Sequence, residues 1–164
     1  DKTRVRWNNG GDDDVSGGGA YTHMTLLSAS REGMHNLFKM SSLASLEGYY
    51  FKPRMDRELL NTYGKGLIAT TGCPGGEIQT RLRIGQYDEA RAAAAEFRDI
   101  FGKENFFAEI MDHGLDIERR TMADLLRLAK ELDMPLLATN DLQLLHPTYV
   151  ACVLVHLHPL LISS

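Results

Sequence analysis

The chain has 164 residues, 43% apolar and 24% charged, with a formal net charge of −4 and a pI near 5.8. That suffices for one domain with a real core. It excludes the basic field by which a chain on its own advertises nucleic-acid binding. Cys73 and Cys152, the two cysteines, form no CxxC, which excludes a disulfide framework or zinc ribbon and fits a reducing, cytoplasmic setting.

In chain order, residues 1–19 hold Asn8-Asn9-Gly10-Gly11, Asp12-Asp13-Asp14 and Gly17-Gly18-Gly19, and read as an exposed polar loop or linker. No signal peptide opens this stretch, and because Asp1 is not an initiator methionine the chain is expected to be a piece of something longer or a processed product. Ala20 to Leu27 reads as a strand with Tyr21, His23 and Thr25 on one face. A helix is expected from Ser30 to Glu47, with Met34, Leu37, Phe38, Leu43 and Leu46 at helical spacing and Gly48 as its stop. Tyr49 to Pro53 is an aromatic, basic loop, and Met55 to Tyr63 a short helix ending at Gly64.

A strand at 67–71 leads to Gly72-Cys73-Pro74, with Pro74 where a helix would begin and Glu77 to Ile84 as that helix. Asp88 is placed to cap the next helix, which runs through the alanine stretch 92–95 to Phe101 and stops at Gly102. A strand over 106–111 follows. Asp116 is placed to cap a helix lined by Ile117, Leu125, Leu128, Ala129 and Leu132, and a last strand covers 136–139. The order β-α-α-β-α-α-β-α-β implies an α/β fold with a largely parallel sheet and covering helices. From Leu142 to Ser164 there is no Asp, Glu, Lys or Arg. Pro147, Pro159, Gln143 and the histidines 146, 156 and 158 interrupt that stretch, whereas a membrane helix needs about 20 predominantly apolar residues. A buried strand or a sticky end is the better reading.

Three apolar runs end on residues able to hold a metal: Leu67–Thr71 at Gly72-Cys73, Phe106–Met111 at Asp112-His113-Gly114, and Leu136–Thr139 at Asn140-Asp141. In α/β folds, sites are built from loops at the carboxyl ends of strands, and thiolate, imidazole and carboxylate together make a metal centre. Each residue also has a plainer role. Cys73 suits a small residue in a tight turn, His23 a hydrogen-bonded strand histidine, and Asp112-His113-Gly114 an Asx turn. A helix start after Cys73 would favour its thiolate. A phosphatase-type cysteine loop, however, wants an arginine where Gln79 stands. His156 and His158 share a strand face at metal-ligand spacing but have no acid nearby; His35, Arg81-Leu82-Arg83 and Arg119-Arg120 read as solvated helix faces.

Several blocks together carry a resemblance: Thr22-His23-Met24-Thr25-Leu26-Leu27, Leu43-Ala44-Ser45-Leu46-Glu47-Gly48, Ala69-Thr70-Thr71-Gly72-Cys73-Pro74-Gly75-Gly76-Glu77, Asp112-His113-Gly114-Leu115 and Ala138-Thr139-Asn140-Asp141. Over roughly residues 1 to 142 the chain resembles the amino-terminal polymerase and histidinol phosphatase (PHP) domain of bacterial replicative DNA polymerase III alpha subunits, of an actinobacterial type. The resemblance implies a distorted (β/α)7 barrel with metals at the carboxyl ends of its strands. In some bacteria that domain trims mismatched 3′ ends as a proofreading 3′–5′ exonuclease, and in others it is structural. It implies that His23, Cys73 and Asp141 hold divalent metal, zinc or manganese, while the parent polymerase, a nucleotidyltransferase, uses magnesium. The implied partners are DNA and other replicase subunits, with no membrane.

The departures are equally specific. The family's H-x-H-x-x-x-D segment, a further D-H-G and a glutamate precede the part matched here, and Gln143 stands where a ligand histidine is expected, with His146 out of register. The expected division is therefore a polar linker over 1–19, a partial PHP domain over 20–142 and an aberrant apolar tail over 143–164, out of frame with the family. An incomplete barrel with at most three ligands is expected to lack exonuclease activity on its own. A non-catalytic scaffold and a free-standing phosphoesterase are the alternatives.

Overall fold

The computed structural model describes residues 21–49 and 52–139, with the backbone of 152–157. The 1–19 linker, Asp141, Gln143, His146, His158 and the side chain of His156 lie outside the described residues.

The elements are β1 (Thr22–Ser28), α1 (Arg31–Leu46), α2 (Arg57–Tyr63), β2 (Leu67–Thr70), α3 (Glu77–Arg83), α4 (Tyr87–Phe101), a 3-10 turn (Lys103–Asn105), β3 (Phe106–Met111), α5 (Asp116–Glu131), β4 (Leu136–Thr139) and β5 (Cys152–Leu157). They form a mixed α/β domain around one sheet of order β4-β3-β2-β1-β5. β2, β3 and β4 run parallel, but β1 is antiparallel to both β2 and β5, which corrects the expectation of a largely parallel sheet. The cause is a tight backbone contact. Ala29 N donates to Gly66 O at 2.9 Å. A Cβ on Gly33 would stand 1.8 Å from that same oxygen, so only glycine admits the approach. The start of β2 is thereby fixed beside the end of β1, and the two strands must run in opposite directions.

Leu26, Leu37, Met40, Leu60, Leu67, Ile78, Phe97, Phe106, Leu125 and Leu128 are fully buried and make the core between sheet and helices. Each such side chain is worth roughly 1.5–3 kcal/mol of transfer free energy. α1 presents Gly33, Leu37, Met40 and Ala44 inward, while Phe38 and Leu46 are exposed, unlike the face expected for them. Ser30 caps α1, its Oγ accepting from Gly33 N at 3.0 Å, and Asp56 caps α2 by accepting from Leu59 N at 2.8 Å. Asp88 and Asp116 do not cap: α4 starts at Tyr87 after Gln86, and α5 starts at Asp116 itself after Leu115. Both acids lie in a first helical turn, where they favour the helix dipole instead.

Candidate metal centre

Strand alternation fixes the position of His23. Thr22, Met24 and Leu26 face the core, while Tyr21, His23 and Thr25 lie half-buried on the other face. The His23 ring stacks on Tyr21 with centroids 5.9 Å apart, and the Lys52 ammonium sits 5.3 Å from the Tyr21 ring. Partial burial, aided by the Lys52 charge, pulls the His23 pKa below its ordinary value. The neutral imidazole that results is the form that ligates metal.

Cys73 stands just past β2 in a turn made by its own neighbours. Gly76 N donates to Cys73 O at 2.8 Å, closing a turn with Pro74 and Gly75 at its centre. Proline's fixed φ suits the first central place of such a turn. That is why Pro74 is there; α3 begins only at Glu77, with Gly76 before it, so Pro74 does not open the helix. Gly72 has φ +76°, and a Cβ on it would lie 3.1 Å from His23 O. His23 N in turn donates to Gly75 O at 3.1 Å. The reversal of β1 thus brings its beginning, where His23 lies, against the rim at which β2 ends.

At that rim His23 Nδ1 and Cys73 Sγ are 3.7 Å apart. Two donors on one tetrahedral zinc, with N and S bonds of ordinary length, stand about 3.6 Å apart. The space facing both is open because Gly75 has no side chain: a Cβ there would lie 3.3 Å from His23 Nδ1 and 3.6 Å from Cys73 Sγ. The donor types, their separation and this notch all fit a divalent metal. Among the described residues no third acidic, histidine or cysteine side chain joins the pair.

Asp112, His113 and Gly114 take the turn role. Asp112 Oδ1 accepts from Gly114 N at 3.1 Å. Glu118 reaches back from α5 to accept from His113 N at 2.7 Å and contacts His113 Nδ1 at 2.6 Å. Hydrogen bonding from the His113 side chain lowers the Glu118 pKa, with help from the backbone N–H groups of His113 and Leu115 and against the effect of burial. His35 is exposed, as are Arg119 and Arg120. Arg81 is not a solvated residue: its Nε lies 3.1 Å from Glu77 Oε1, and its side chain is 15% exposed.

Besides Glu118, two further buried acids escaped the sequence reading. Glu77, 3% exposed, accepts from Arg57 Nη2 at 3.0 and 3.1 Å as well as from Arg81. Arg57 also donates to Glu96 at 2.5 Å and lies 4.5 Å over the Phe97 ring. Glu109 is 5% exposed in the middle of β3. It accepts from Thr70 Oγ1 at 2.5 Å and Thr139 Oγ1 at 2.6 Å, so its carboxylate ties β2 to β4 across β3. The available signal was an acid inside the apolar run Phe106–Met111.

The PHP domain family model matches residues 4–113 of the chain. The DNA polymerase III subunit alpha of Saccharopolyspora erythraea is 62% identical over 78% of the chain and 11% of its own length. The proteins of the same name from Mycobacterium leprae and Mycobacterium tuberculosis are 49% and 52% identical over 99% and 86% of the chain, which covers 14% and 12% of them. The chain thus spans about an eighth of the length of these relatives.

Proposed function

The chain belongs to the PHP-domain family, and from that premise we propose that it serves DNA replication as part of the PHP domain of a replicative DNA polymerase alpha subunit. The rest of the distorted (β/α)7 barrel would be completed by chain beyond these residues. The parent protein would be a DNA-directed DNA polymerase, a magnesium-dependent nucleotidyltransferase, working with DNA and the other replicase subunits. No helix among the described residues is long and apolar enough to cross a membrane.

In this reading His23, Cys73 and Asp141 hold a divalent metal, zinc or manganese. The observation that carries it is the 3.7 Å approach of His23 Nδ1 to Cys73 Sγ beside the open notch at Gly75. When bound, the metal would supply Lewis-acid stabilisation of charge on a phosphodiester. The chain's own residues do the rest: burial favours the neutral form of His23, and the Cys73–Gly76 turn places the sulfur 3.7 Å from its Nδ1. In this chain the metal would stiffen the rim, with the domain acting as a scaffold.

Metal analysis of the purified chain, paired with a nuclease assay on a mismatched primer terminus, tests this. Zinc or manganese bound with no nucleotide released is the expected result. Release that depends on metal and disappears in Cys73→Ser overturns the scaffold role in favour of a proofreading exonuclease.

A further inference from the structure

Glu109 is a buried carboxylate with two hydroxyl donors, and no arginine or lysine pairs with it among the described residues. Burying a carboxyl group is costly unless hydrogen bonds compensate it. Its partners are placed unusually. Thr70 is the last residue of β2, and while it donates to Glu109 its oxygen also accepts from Gly72 N at 3.2 Å. A relay therefore runs from Glu109 through Thr70 to the residue before Cys73. Glu109's own N–H donates to Thr71 Oγ1 at 2.9 Å, fixing the intervening residue as well. On the other side Thr139 ends β4, two positions ahead of Asp141 in the sequence. Glu109 also borders a small cavity that Pro74 lines, next to Cys73 in the chain.

We propose that Glu109 is a positioning residue of the metal centre, anchored on β4 by Thr139 and clamping the end of β2 through Thr70, so that the Cys73 turn is held beside His23. This rests on the metal reading above. Glu109 itself touches no metal in this scheme. It acts through the two hydroxyls.

The test titrates cobalt(II) into the full 164-residue chain carrying Cys152→Ser, so that any thiolate-to-cobalt absorption band reports Cys73. Cys73→Ser should abolish the band. Glu109→Gln and Thr139→Val should weaken cobalt binding roughly 10- to 100-fold, the usual effect of losing a group that orients metal ligands, and should shift the visible d–d bands. Thr139→Ser, which keeps the hydroxyl, should bind as the parent does. If Glu109→Gln does not fold, the Val and Ser variants of Thr139 carry the test alone. Parent-like cobalt affinity and spectrum in Glu109→Gln and Thr139→Val, with the band lost in Cys73→Ser, overturns the clamp and leaves the metal reading standing. Absence of the band from the parent chain overturns both.

Discussion

Glu77 and Glu109 are both buried carboxylates flanking the Cys73 turn, yet the two regions satisfy them in different ways. In the helical layer Glu77 is met by two guanidinium groups, Arg57 and Arg81, and Arg57 is shared further with Glu96. In the sheet the Glu109 side chain is met only by hydroxyls among the described residues. A neutralised cluster holds elements together. The difference separates what anchors the turn from what tunes it.

Breaking the first cluster should have the larger effect. Glu77→Ala leaves Arg57 buried without its main partner and should cost about 3–5 kcal/mol, read as a lower urea midpoint. Thr139→Val removes one hydrogen bond to a charged group and should cost about 1.5–3 kcal/mol by the same measurement. Should the Thr139 variant prove the more damaging, the division of labour between the two acids is wrong.

Glu118 sharpens the contrast, being a third buried acid whose partner is an imidazole. Its pKa is lowered in the folded state, so its stabilising effect is present above the ordinary carboxylate range and fades as pH falls through the folded value. Glu118→Gln should therefore be less stable than the parent near neutrality, with the gap closing below about pH 4. Urea midpoints measured across that range check it; a gap independent of pH would assign the effect to packing. The smallest expected change in stability is Gly75→Ala. Its methyl would enter the notch before His23 and Cys73, lowering cobalt affinity while leaving the unfolding temperature near the parent's.

Much of the architecture was legible because periodicity is local. Every α-helix and strand through β4 was anticipated, with Gly102 as a helix stop at φ +88°. The direction of β1 was not, because it depends on a contact between Gly33 and Gly66 that no window of sequence reveals. The Phe38 and Leu46 positions misled for a related reason: spacing gives a helix face, but tertiary packing decides which part of it meets the sheet. At the site, Cys73 was named from strand-end chemistry and the family resemblance, His23 from the resemblance alone, and the two side chains lie 3.7 Å apart. Glu77 and Glu109 were missed because burial of an acid is decided by distant partners such as Arg57 and Thr139. Asp141 lies outside the described residues.

The reversed first strand has one more consequence. His23 and Cys73 are separated by 50 positions yet touch, so an ion gripping both would close a covalent-like loop of that length. By the chain-entropy relation used for disulfides, such a cross-link restricts the unfolded chain by roughly 4 kcal/mol. The metal would then be a removable staple across a long-range contact, and chelation alone would loosen the domain's grip on its own topology.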